Sequence, residues 1–211
     1  MPHVALLGDS VFDNASYTKG EPDVISQVRG ELPSGWQATM CAVDGSTTED
    51  ISEQLRSLPA NPTHLVMSVG GNNALLHADI LDRRVKSSGE AFLLLAEVAG
   101  EFEVKYRHAV SACLSRNLPL VVCTIYHGNL EDEAFRRRAI VALTLFNDAI
   151  MRTAVENELA VLDLRLICNE PRDFANPIEP SSIGGAKIAR AIVRAVTDSG
   201  AGSRGTRIIT S

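Results

Sequence analysis

The stretch VALLGDSVFDN, residues 4–14, is an apolar run that ends abruptly in a Gly-Asp-Ser turn. An all-apolar run of this kind is typical of a strand covered on both faces, as in a parallel sheet. Gly8 permits a tight turn directly after the strand. Ser10 would then lie at the carboxyl end of the strand, where open α/β sheets bind ligands. A serine after such a glycine also serves as a helix N-cap, so this stretch alone does not define a site.

Four further apolar runs alternate with segments of helical periodicity. The runs predict strands at residues 36–43, 63–69, 118–126 and 159–164. The helical segments are residues 23–32, 51–58, 74–116 with a break near 87–89, 131–158 and 184–196. This alternation predicts an α/β fold, because parallel neighbours require right-handed crossovers. We expect a three-layer α/β/α domain with a five-stranded parallel sheet in the flavodoxin-like order 2-1-3-4-5.

Length and composition indicate a soluble globular protein. The chain has 211 residues, of which 45% are hydrophobic and 22% charged. We expect one domain over residues 1–197 and a flexible tail over residues 198–211, which are rich in Gly, Ser and Thr. The net charge of −6 and the lack of a basic run argue against a nucleic-acid partner.

The sequence also bears on location and cofactors. No apolar run approaches the ~20 residues that a membrane span requires. The first three residues lead into a strand without the segments of a signal peptide, so we expect a cytoplasmic protein. The cysteines are scattered and lack CxxC spacing, which predicts neither a metal site nor another cofactor; they are Cys41, Cys113, Cys123 and Cys168.

Four motifs follow one another in a defined order. They are Gly-Asp-Ser at residues 8–10, Gly45, Gly-Gly-Asn-Asn at residues 70–73, and Pro-Ser-x-x-Gly at residues 180–184. This set resembles the SGNH, or GDSL, hydrolase family of esterases and acylhydrolases, and the resemblance covers residues 4–196. It implies the SGNH hydrolase fold and cleavage of a small-molecule carboxylic ester or thioester through an acyl-enzyme.

The resemblance also implies roles for individual residues. Ser10 matches the nucleophile. The backbone N–H groups of Ser10 and Gly45, with the side-chain amide of Asn72, match the oxyanion hole. Preformed donors aimed at the developing charge are each worth roughly 3–4 kcal/mol.

The last motif departs from the family pattern, in which an aspartate and a histidine precede the final helix. Here Asn176 stands in the place of the aspartate, and Glu179 stands in the place of the histidine. Asn73, the last residue of the third motif, stands where the family has an aspartate directly after Gly-x-Asn. The nucleophile and the oxyanion hole therefore carry over, whereas the usual base and its orienting acid do not.

Two sources of a base remain open. Glu179 could take the proton of Ser10 directly, because burial raises the pKa of a carboxyl group. Alternatively, His127 or His77 could serve as the base or line the pocket, with Glu179 or Asp173 as the orienting acid. A third outcome is a catalytically impaired SGNH fold that binds a ligand or acts as a scaffold. Acyl transfer to an acceptor other than water is a further alternative.

Overall fold

The computed structural model describes residues 1–198 and 205–210, and within them six strands form one parallel sheet. The strands are β1 (His3–Gly8), β2 (Gln37–Met40), β3 (His64–Ser68), β4 (Leu120–Cys123), β5 (Ala160–Leu162) and β6 (Ile208–Ile209). Their order is β2-β1-β3-β4-β5-β6. The predicted α/β class and the order of the first five strands are confirmed.

The predicted strand number, five, is wrong by one. The missed strand is β6, which pairs with the edge of β5. Its two residues lie in a polar segment and are too few to show a periodicity, so the sequence carried no signal for a strand. Of the predicted flexible tail, residues 199–204 and 211 lie outside the described residues.

Seven α-helices in the described residues cover the sheet on both faces. They are α1 (Val24–Glu31), α2 (Ile51–Gln54), α3 (Gly71–Leu75), α4 (Ser88–Leu114), α5 (Glu133–Glu156), α6 (Leu164–Ile167) and α7 (Ser182–Thr197). Two apolar clusters form the core. One joins the sheet to α1, α6 and α7, and the other joins it to α2, α4 and α5. The predicted three-layer arrangement follows from these two clusters.

The parallel strands place all their carboxyl ends at one edge of the sheet. The loops after β1, β2, β3 and β4 and the segment after β5, which carries Glu179, therefore meet there, whereas His3 and His64 lie at the opposite edge. The predicted helical break near residues 87–89 is confirmed, because α4 begins at Ser88 with Ser87 as its N-cap. No helix among the described residues is long and apolar enough to cross a membrane.

Candidate active site

The first strand ends at Gly8, which brings Ser10 to the sheet edge. Gly8 has a φ of +132°, and a Cβ atom there would overlap the backbone carbonyl of Ser68. The buried amide of Gln54 accepts a hydrogen bond from the N–H of Gly8 and donates one to its carbonyl, both at 2.7 Å. Sequence reasoning missed Gln54. The available signal was a polar residue beside the apolar face of a short predicted helix.

The hydroxyl of Ser10 donates a hydrogen bond to Oε1 of Glu179 at 3.0 Å. Both residues are buried, with exposures of 7% and 6%. A carboxylate at this distance can accept the proton of the hydroxyl as the oxygen attacks a carbonyl carbon. Among the described residues, the side chain hydrogen-bonded to the hydroxyl of Ser10 is that of Glu179, and no histidine makes such a bond.

Asn176 shapes the turn that carries Glu179. Its side-chain Oδ1 accepts hydrogen bonds from the backbone N–H groups of Ile178 and Glu179, each at 2.9 Å. The hydroxyl of Tyr126, just beyond β4, donates a hydrogen bond of 2.6 Å to the carbonyl of Ile178. Asn176 therefore acts on the backbone of the turn, and Tyr126 attaches that turn to the sheet.

The environment of Ser10 favours the protonated forms of two carboxyl groups, those of Glu179 and Asp9. Burial raises the pKa of Glu179; the hydrogen bond from Ser10 opposes this shift, and the charge of Asp44 adds to it. The second oxygen of Glu179, Oε2, is buried and has no hydrogen-bond partner among the described residues. Asp9 is also buried, and its pKa rises to about 7, chiefly because of desolvation. Both groups are therefore stronger proton acceptors than exposed carboxylates.

The two loops that the resemblance assigns to the oxyanion hole contact each other. Asn72 lines the same cleft as Ser10. Its Nδ2 donates a hydrogen bond of 2.9 Å to the backbone carbonyl of Ser46, the residue after Gly45. Gly45 is exposed and has a φ of +80°, a conformation that glycine adopts without strain. The contact fixes the loop after β2 against the loop after β3.

Two of the other predicted site residues stabilise loops. Asn73 exchanges two hydrogen bonds of 3.1 Å with the backbone N–H and the hydroxyl of Thr48. Asp173 is fully buried and accepts a hydrogen bond of 2.8 Å from Nζ of Lys187, on the final helix. Neither side chain has a hydrogen bond to Ser10 within the described residues. Their contacts are those of structural residues.

His77 and His127 both line the cleft that contains Ser10. Burial lowers the pKa of His127, and the nearby charge of Arg165 acts in the same direction. Neither ring is hydrogen-bonded to Ser10 or Glu179 in the part of the chain that the structure describes. They are placed to contact a substrate in the cleft.

An apolar cleft extends from Ser10 across the ends of β3 and β4. Its walls come from the segments after these two strands and from α4 and α5, so it is suited to an acyl chain. The apolar side chains that line it include Leu75, Ile80, Leu81, Leu95, Val98, Ile125, Phe135, Leu143 and Phe146.

The parallel strand order β2-β1-β3-β4-β5-β6, with helices on both faces, defines a flavodoxin-like α/β fold. The chain belongs to the GDSL-like lipase/acylhydrolase family, whose model matches residues 6–184. It is therefore a hydrolase of this family. No curated protein matched the sequence.

Solved structures of esterases and lipases share the fold. An extracellular lipase from Streptomyces rimosus superposes with a TM-score of 0.69 at 15% identity, covering 92% of this chain and 100% of that one. A phospholipase A1 from Streptomyces albidoflavus has a TM-score of 0.65 at 16% identity, with coverages of 92% and 98%. An acetylxylan esterase from Geobacillus stearothermophilus has a TM-score of 0.65 at 18% identity, with coverages of 93% and 94%. At these identities the similarity concerns the fold.

Proposed function

We propose that this protein is a serine esterase in which Ser10 is the nucleophile and Glu179 is the general base. The hydrogen bond of 3.0 Å between the two side chains carries the proposal. An ordinary Glu has a pKa about 2 below that of His, which makes it a weaker base by about 3 kcal/mol. The burial that raises the pKa of Glu179 reduces this disadvantage.

Acylation begins when Oγ of Ser10 bonds to the carbonyl carbon of the ester while Glu179 takes the hydroxyl proton. The resulting oxyanion is stabilised by the N–H groups of Ser10 and Gly45 and by the amide of Asn72. When the oxyanion collapses, the bond between the carbonyl carbon and the alcohol oxygen breaks, and Glu179 returns the proton to that oxygen. A thioester would react in the same way with a thiol as the leaving group.

Deacylation repeats these steps with water. Glu179 takes a proton from the attacking water, and the bond between Oγ of Ser10 and the acyl carbon breaks. The proton then returns to Ser10, and the carboxylic acid is released. Glu179 acts alternately as base and acid, so no further titratable group is required.

Four variants test the proposal with a short-chain nitrophenyl ester and a fluorophosphonate probe. We expect the probe to label the wild-type protein at Ser10, and Ser10→Ala to abolish both labelling and turnover. Glu179→Gln should lower kcat by about 10²–10⁴-fold, the usual contribution of a general base. His77→Ala and His127→Ala are matched controls within the same cleft and should retain most of the activity.

Two results would contradict the proposal. Retention of activity in Glu179→Gln together with its loss in His127→Ala or His77→Ala would assign the base to a histidine. Absence of labelling and turnover in the wild type between about pH 5 and about pH 9 would favour a ligand-binding or scaffold role.

A further inference from the structure

The first half of α4 extends beyond the packed core. The buried residues of this helix lie at Phe102 and beyond, and residues 88–101, all of which the structure describes, include none. Leu95 and Val98, in this half, line the apolar cleft instead. One wall of the cleft is therefore a helical segment with the cleft on one side and solvent on the other.

Large apolar side chains are exposed around the mouth of this cleft. Leu75 marks the mouth, because it lines the cleft and is also exposed. Leu76 follows it in the chain, and Phe92 lies about one helical turn before the cleft-lining Leu95. Leu76 is 69% exposed, and Phe92 and Leu93 are each 67% exposed. Leu75, Leu76, Phe92 and Leu93 form an apolar rim, a surface of the kind that marks an interaction site.

A basic segment joins the two parts of the apolar rim. Residues 83–86, Arg-Arg-Val-Lys, are all exposed, and their three cations form no ion pair among the described residues. The acidic residues next to this segment in the chain are already bonded. Asp82 forms an ion pair of 3.0 Å with Arg138, and Glu90 accepts a hydrogen bond of 2.7 Å from the backbone N–H of Lys86. In a protein of net charge −6, this segment offers unpaired positive charge beside an apolar surface.

Resting on the proposed use of the cleft for an acyl chain, we infer that the apolar rim docks on a lipid surface with anionic headgroups. Apolar side chains enter the boundary between headgroups and acyl chains, and adjacent cations attract the headgroups. A protein seated on the rim, including a second copy of this chain, would cover the mouth of the cleft, whereas a lipid surface supplies substrate there. The substrate class is thus a lipid-borne ester whose acyl chain enters the cleft directly from that surface.

Sedimentation with lipid vesicles tests the docking. The probes are vesicles of phosphatidylcholine alone and vesicles in which phosphatidylglycerol replaces part of it. We expect the wild type to bind the anionic vesicles more tightly, and the double variant Leu76→Ser, Phe92→Ser to bind them about tenfold more weakly. The double variant Val104→Ser, Val155→Ser is the matched control, because it changes two exposed apolar residues of α4 and α5 that do not line the cleft. It should bind like the wild type.

Two further measurements connect the docking to charge and to turnover. The double variant Arg83→Gln, Arg84→Gln should lose most of the preference for anionic vesicles. A nitrophenyl ester with a long acyl chain, presented in the same vesicles, is compared with the short-chain nitrophenyl ester in solution. The ratio of the two rates should fall about tenfold in the double variant of Leu76 and Phe92 and stay unchanged in the control.

The outcomes separate this inference from the proposed function. Ser10→Ala should bind vesicles like the wild type, so docking is measured without catalysis. If no ester is hydrolysed but binding depends on Leu76 and Phe92, the esterase proposal fails and the docking surface stands. Absence of binding to the anionic vesicles, or equal binding by the rim variant and the control, would overturn the inference while leaving the esterase intact. A dimer in solution that the rim variant converts to a monomer would assign the rim to a second copy and also overturn it.

Discussion

The side chain of Asn176 accepts a hydrogen bond of 2.9 Å from the backbone N–H of Glu179, whose carboxylate in turn accepts a hydrogen bond from the hydroxyl of Ser10. A second bond of the same length joins Asn176 to the N–H of Ile178. The asparagine therefore determines where the carboxylate lies without touching it.

Removal of this side chain should affect turnover more than folding. In Asn176→Ala we expect kcat to fall about tenfold, because a turn that loses two hydrogen bonds no longer holds Glu179 within reach of Ser10. Asn176→Asp keeps the accepting oxygen and should retain most of the activity. Steady-state kinetics and thermal unfolding of both variants provide the measurement. An equal loss of kcat in the two variants would contradict the conclusion that Oδ1 of Asn176 holds the turn in place.

The second prediction concerns the pH dependence of catalysis. A general base acts when it is deprotonated, so kcat/KM should rise with pH through the pKa of Glu179. Burial shifts that pKa upward, and the rise should therefore occur at higher pH than for an exposed Glu. In Glu179→His the rise should move toward about 6.5, the ordinary value for His. An identical profile in both proteins, measured with the same nitrophenyl ester, would exclude Glu179 as the titrating base.

The third prediction concerns the cost of burying Asp9. Its pKa rises from the usual 3.8 to about 7, so the folded state holds a proton that the unfolded state has lost between these values. The free energy of unfolding should accordingly decrease as pH rises through this interval, by at most about 4 kcal/mol for a difference of about 3 in pKa. Asp9→Asn, which keeps an oxygen for the N–H of Val11, should reduce this decrease, and the part that remains reflects the raised pKa of Glu179.

Urea unfolding at about pH 4 and about pH 8 measures the effect. The exposed Asp79→Asn serves as a control for the loss of one carboxyl, and it should leave the pH dependence of stability unchanged. The same pH dependence in Asp9→Asn and in the wild type would show that Asp9 is not the group responsible.

The fourth prediction concerns Gln54. Gln54→Leu leaves the N–H and the carbonyl of Gly8 without their buried partners, which should lower the free energy of unfolding by about 2–4 kcal/mol. Activity should fall as well, because the turn after β1, which carries Ser10, loses its attachment to residue 54. Gln54→Glu retains one acceptor for the N–H of Gly8, and at about pH 4, where a buried carboxyl is protonated and can donate to the carbonyl of Gly8, it should be less destabilised than Gln54→Leu. Chemical denaturation that finds no difference between these variants would refute the anchoring role.

The architecture and part of the site were predictable from local sequence. Alternating apolar runs and helical segments predicted the strand order, since parallel neighbours allow few topologies. The turn at Gly8 placed Ser10 at the carboxyl edge, and the spacing of the last motif placed Glu179 before the final helix. The strand β6 was missed because two residues in a polar tail show no periodicity.

What the sequence by itself determined was the set of chain segments that end at one edge of the sheet, because strand direction and crossover handedness follow from local patterns. Only the tertiary structure decided which groups meet there: the hydroxyl of Ser10 with Glu179 and not a histidine, Gly8 with Gln54, and Tyr17 with Asp44. In the sequence, the two residues of these pairs lie 169, 46 and 27 positions apart, respectively. Contacts of this kind depend on how whole elements pack, which no local pattern of residues encodes.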